Sequence, residues 1–139
     1  MGPNDAQIVR VFSREPKGPI ADFTLDPKTD AEIVLEAEAG GTLHQNAGKY
    51  IVTLILRDLN DLTAIPARVL NAATANEVAG NFTDANWPNL PASFVFVIDR
   101  AELDARKGHM VQAHGSVLYG TSDPGVTFAV SPQFQILPR

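Results

Sequence analysis

The chain has 139 residues, 45% hydrophobic and 19% charged, with sixteen acids against eleven bases for a net charge of −5. That composition suits one globular domain, argues against disorder, and sets an acidic average field against a phosphate backbone. The chain has no cysteine, which removes a disulfide framework, a thiolate metal site and a cysteine nucleophile together.

Ten Gly and ten Pro are too many for a helical bundle and suit short elements joined by turns. Met1 to Gln7 is small and polar, with no basic stretch leading into an apolar one, so no secretory signal is expected in this chain. Residues 1–139 are expected to form a single domain, with 1–6 disordered. The apolar runs fall short of a membrane span. Localisation is therefore unknown, with the cytoplasm as default unless the chain is excised from a larger protein.

Period-two alternation dominates the chain from Ile8 onward. Ile8, Arg10 and Phe12 oppose Val9, Val11 and Ser13 in a first strand that Pro16, Gly18 and Pro19 end. Phe23 and Leu25 form a brief edge piece before Asp26-Pro27. Ile33, Leu35, Ala37 and Ala39 then alternate with Glu32, Glu36 and Glu38, which turns three carboxylates toward water. A helix capped by Asp30 and ended by Gly40-Gly41 is the alternative there; the alternation favours the strand.

Tyr50 to Arg57 reads as a strand with Tyr50, Val52, Leu54 and Leu56 on one face and Ile51, Thr53 and Ile55 on the other. Both faces are largely apolar, so this strand is central in its sheet or covered on its outer side. Leu59 to Gly80 is ambiguous. It reads as a short strand near Ile65 to Leu70, then irregular chain or one or two helical turns in an Ala-rich stretch. Asn81 to Pro91 reads as a loop carrying the single Trp, and Ser93 to Asp99 alternates Phe94, Phe96 and Ile98 with Val95 and Val97.

Arg100 to Gly108 reads as a tight polar connection. Met110 to Tyr119 comes next, with Val111, Ala113, Val117 and Tyr119 opposing Gln112, His114 and Ser116. Gly120 to Gly125 carries hairpin-turn chemistry. Val126, Phe128, Val130, Phe134 and Ile136 then keep one parity through a break at Ser131-Pro132, which implies a bulge or an edge. The expected fold is all-β, a two-sheet antiparallel sandwich of about seven strands with at most one short helix, since a parallel sheet would need helices between its strands.

Leu103, then Lys107-Gly108-His109, then Val111 and Ala113 resemble the corner and strand that precede the last hairpin of fibronectin type III and related immunoglobulin-like domains. Val130-Ser131-Pro132 with Phe134 and Ile136 resemble the final strand of the same domains. The resemblance spans Arg100 to Ile136 and implies an immunoglobulin-like sandwich, not a function. His109 stands where that family's corner Tyr would be, and Trp87 lies in a loop rather than on an early strand.

No catalytic residue and no cofactor is expected. His114-Gly115-Ser116-Val117-Leu118 comes nearest to a nucleophile elbow but lacks its second Gly, and His114 with Ser116 reads more plainly as two solvated polar side chains on one strand face. Glu32, Glu36 and Glu38 share a face without a cleft between them. His109 and His114 fall on opposite sides of a strand, and with His44 in a loop they make a poor zinc set. Phosphate-loop and dinucleotide fingerprints are absent.

The metal candidate is Asp58, Asn60 and Asp61, hard oxygens at a strand end that suit calcium. Arg57-Asp58-Leu59-Asn60-Asp61 is similar to the Asp-x-Asn-Asp linker of cadherins, but Leu62 follows it and it falls mid-domain. Asp99 and Glu102 complete a cage only if their strand end lies alongside. Ordinary turn chemistry, with Asp and Asn bonding their own backbone, is the plainer account. Trp87 in Asn86-Trp87-Pro88 either stacks on a sugar ring, anchors an interface, or folds back as a plug. Asn81-Phe82-Thr83 matches a glycosylation acceptor.

Ile51 and Ile55, if uncovered, form a patch of the interface kind. The functional expectation is a non-catalytic interaction or structural module that binds another protein. Nucleic acid and membrane insertion are not expected as partners, and a homo-oligomer stays open. The alternative is a ligand-binding module for carbohydrate or calcium.

Overall fold

Strands that are apolar on one side must bury that side, and this chain does so by pressing two sheets together. The computed structural model of the chain describes residues 6–16, 22–40, 48–82, 87, 92–120 and 125–139. Its elements are β1 (Ala6–Arg14), β2 (Thr24–Leu25), β3 (Ala31–Ala39), β4 (Lys49–Asp58), β5 (Thr63–Ile65), β6 (Arg68–Val69), β7 (Glu77–Asn81), β8 (Ala92–Ile98), α1 (Arg100–Asp104), β9 (Met110–Tyr119), β10 (Gly125–Val130) and β11 (Phe134–Ile136). The first sheet runs β1-β3-β8-β6; the second runs β2-β11-β9-β4-β5, with β10 also on β9 and β7 also on β4. All these pairings are antiparallel except that of β11 with β2. The result is an all-β, immunoglobulin-like sandwich with one short helix among the described residues.

The strand segments outnumber the expected strands because some share a neighbour's edge. β10 and β11 are two halves of one course along β9, and β7 and β5 line successive halves of β4. Ile33, Leu35 and Phe96 from one sheet and Val52, Leu54, Val117 and Phe134 from the other fill the space between, each such burial stabilising the fold by roughly 1.5–3 kcal/mol. Among these facing residues Gly115 on β9 is tight. A Cβ there would stand 2.5 Å from Leu35 Cδ1 and 3.2 Å from Val11 Cγ2. Gly115→Ala is expected to lose about 1–3 kcal/mol by overpacking, read as a lowered urea midpoint. In a double-mutant cycle with Leu35→Ala the losses should add to less than their sum; strict additivity would show that Leu35 does not press on this site.

Two bulges correct the expected faces. Ile8 pairs with Ala37 but Arg10 pairs with Glu36, so β1 carries one residue more than β3 at this point. Ile8 and Val11 therefore both enter the core, while Arg10 turns outward, against the strict alternation expected. The same happens in the last course: Val130 pairs with His114, whereas Phe134 pairs with Val111. One extra residue flips the face, so Phe134 and Ile136 are buried while Val126, Phe128 and Val130 face solvent. Ser131 holds this break: its N–H donates to Ala113 O at 2.8 Å, and its Oγ accepts from Ala113 N–H at 2.9 Å.

Leu59 to Gly80 forms β5, β6 and the start of β7, with no helix among its residues. Asn71 at φ 72° and Leu62 at φ 59° take turn conformations, and Asn76 clamps the edge of β4 by donating from Nδ2 to Leu54 O at 2.9 Å. The helix sits instead in the expected polar connection, where Leu103 of α1 is fully buried. Asp30, the cap in the helical alternative for β3, accepts from Arg100 N–H at the start of α1, 2.8 Å away. Glu32 is not solvated as expected: it is 6% exposed and paired with Arg14 at 2.9 Å. Ala6 opens β1, while residues 1–5, His44, Thr83 and most of the expected turn at 120–125 lie outside the described residues.

Candidate functional site

Two regions gather the residues singled out by the sequence: the corner at the end of β4, and the outer face of the second sheet. Asp58 closes β4 with its side chain on the inward parity, fully buried. Its Oδ1 accepts from the N–H groups of Asn60 at 2.9 Å and Asp61 at 3.1 Å, which shapes the turn into β5. Its Oδ2 receives His109 Nδ1 at 2.6 Å and faces Arg106 Nε at 3.5 Å. Burial acts to raise the Asp58 pKa, but the hydrogen bonds from His109, Asp61 and Asn60 and the His109 charge outweigh it, holding the carboxyl below its ordinary 3.8. An ionised carboxylate only accepts, so His109 Nδ1 carries the hydrogen.

The oxygens of Asp58 and Asp61 and the ring of His109 lie close enough to share an ion. The three residues proposed for calcium are thus only partly brought together. Asn60 turns its Oδ1 to the N–H of Met110 at 2.9 Å, and His109 comes in from β9's approach. Asp99 and Glu102 do not complete a cage. Asp99 pairs with Arg68 at 3.0 Å and Glu102 with Arg106 at 2.6 Å. The positive charge facing Asp58 is the chain's own guanidinium, and a divalent ion would have to meet it. His109 ties the approach to β9 back to β4 through Asp58, while Gly108 at φ +83° makes the turn.

The two outer faces differ in kind. On the first sheet, Arg10 pairs with Glu36 and lies 4.2 Å over the Phe12 ring, Arg14 pairs with Glu32, and Arg68 pairs with Asp99. Arginine stems and ion pairs there cover most of the apolar side chains, with Val9 of β1, 52% exposed, the exception. On the second sheet no such ion pair covers the outer face among the described residues. Ile51 is 37% exposed, Ile55 49% and Phe128 74%, with Leu118, Val126 and Val130 about half exposed beside them. A shallow hollow next to Ile55, lined by Ala64, Pro66, Ala67 and Thr74, continues the apolar ground. His114 and Ser116 lie within this face, opposite Ile55 and Thr53.

Trp87 is 1% exposed. Its ring packs against Tyr50, Phe82 and Phe94 with centroids 4.9, 4.8 and 5.3 Å away, so its position is that of a plug and not of a presented ring. Phe128, the most exposed large apolar side chain described, escapes a reading of the sequence because its parity matches that of buried Phe134. The Ser131-Pro132 break is the signal that could have separated them.

No family model matches the sequence, and no curated protein matches it. Among solved structures, AggA, the major subunit of aggregative adherence fimbriae type I from Escherichia coli, matches with a TM-score of 0.54 at 10% identity, over 96% of this chain and 96% of its own. A DUF4466 family protein from Parabacteroides merdae matches with a TM-score of 0.46 at 14% identity, over 92% of this chain and 44% of that chain. At such identities the AggA likeness concerns the sandwich architecture alone.

Proposed function

We propose that the chain is a non-catalytic β-sandwich module that binds protein through the outer face of its second sheet. The carrying observation is the contrast between faces: one is dressed with arginine–carboxylate pairs, the other leaves Ile51, Ile55, Leu118, Val126, Phe128 and Val130 bare. A contiguous patch of that kind marks contact surfaces on soluble domains. AggA, which shares the architecture, is a fimbrial subunit, a precedent for such a sandwich serving assembly. The sugar alternative is less well supported, because Trp87 is withdrawn from the surface.

The absence of native cysteine makes a single-site test clean. A photocrosslinker on Thr53→Cys, in the second sheet's outer face, is expected to capture protein in the producing cell. The same label on Ser93→Cys, exposed on the first sheet, is expected to capture little. Equal capture at the two positions, or none at Thr53, would overturn the reading.

A further inference from the structure

We infer that the occupant of this face is a second copy of the chain, seated with two-fold symmetry; this rests on the docking reading above. Directly opposed residues of neighbouring strands share a face, so the register arranges the surface in three rows. Ile51, Leu118 and Val126 form the first, Thr53, Ser116 and Phe128 the second, and Ile55, His114 and Val130 the third. Phe128 is a knob on β10. Thr53 is the low point of β4, set between Ile51 and Ile55.

A two-fold axis lying in the interface along β9 keeps the rows level and exchanges β4 with β10. It drops Phe128 of each copy into the notch at Thr53 of the other, sets Val126 on Ile51 and Val130 on Ile55, and stacks β9 on its own copy. An isologous interface needs this self-complementarity, and sheets pack face to face in this manner.

Area and charge favour a like partner. The exposed parts of these rows come to roughly 600 Å² per copy, about 1,200 Å² for two, where specific interfaces begin. The rows contain no carboxylate, lysine or arginine. Glu77, opposite Thr53 on β7, lies outside the three stacked strands. The three rows therefore meet their own copy without like-charge contact, although the chain is at −5; Lys49 and Arg57, exposed on the same side of β4, lie beyond the two outer rows.

Sedimentation equilibrium of the purified chain tests this. The wild type is expected to be a monomer–dimer system, and Phe128→Asp to weaken the dimer about a hundredfold or more. Ser93→Asp, on the other outer face, should leave it unchanged. Thr53→Trp adds apolar surface but fills the notch, so it should also dissociate the dimer, whereas general stickiness would make it associate more. Thermal midpoints within a few degrees of wild type show that the variants fold.

A wild-type monomer at several hundred micromolar, open-ended oligomers, or stronger association of Thr53→Trp would each overturn the two-fold pairing. If the purified chain stays monomeric while the label at Thr53 captures a different protein in cells, the docking reading stands and only the second copy falls.

Discussion

Asp58→Ala is expected to lower folding stability by about 3–5 kcal/mol, the usual consequence of removing one member of a buried charged cluster. The loss has three parts. Two turn N–H groups lose their acceptor, His109 loses its partner, and Arg106 is left beside an apolar methyl. Asp58→Asn should lose less, because its amide oxygen can still accept from Asn60 and Asp61. Urea unfolding followed by circular dichroism checks both. A loss under about 1 kcal/mol for the Ala variant would show that the corner is dispensable.

The pH dependence has a definite sign. Since the folded Asp58 carboxyl titrates below 3.8, the unfolded chain takes up this proton first as the solution is acidified. The contribution is complete above the unfolded pKa and is lost as pH falls from there through the lower folded value. Wild type should therefore lose stability more steeply than Asp58→Asn between about pH 5 and 3, and parallel curves would place the acid sensitivity elsewhere. Millimolar calcium is expected to leave the urea midpoint of the wild type unchanged. A rise that depends on calcium concentration would show an ion bound to the native state, and the corner would then be a metal site.

Trp87→Ala is the other large effect, about 3–5 kcal/mol, because the largest buried side chain leaves a void that three aromatic neighbours cannot close. Trp87→Phe should lose markedly less. As the only Trp, Trp87 also reports on itself. Its emission should be that of an indole shielded from water and should not move in a glycan panel. A water-like emission maximum, or a shift on adding a sugar, would return Trp87 to the surface and the chain to the carbohydrate-binding alternative.

The strands of the core were legible because their alternation is unbroken. Tyr50, Val52, Leu54 and Leu56 face inward as read, and so do Val111, Ala113 and Val117. Asp58 continues the same inward parity, yet its use was not legible. His109 and Arg106 are about fifty residues away in sequence and reach it only when β9 lies beside β4. The exposed face was half legible: Ile51 and Ile55 stood out on an apolar strand, but Phe128 looked like core.

Composition and periodicity alone determined that this chain builds an all-β sandwich, since side chains that alternate along strands can be satisfied only by sheets with one buried side. Tertiary structure decided which apolar side chains lie in that buried layer. A single inserted residue in β1 and another after Val130 reverse the face of everything beyond them. Such a slip is fixed by what the neighbouring strand offers for pairing, not by the hydrophobicity of the residues it turns over.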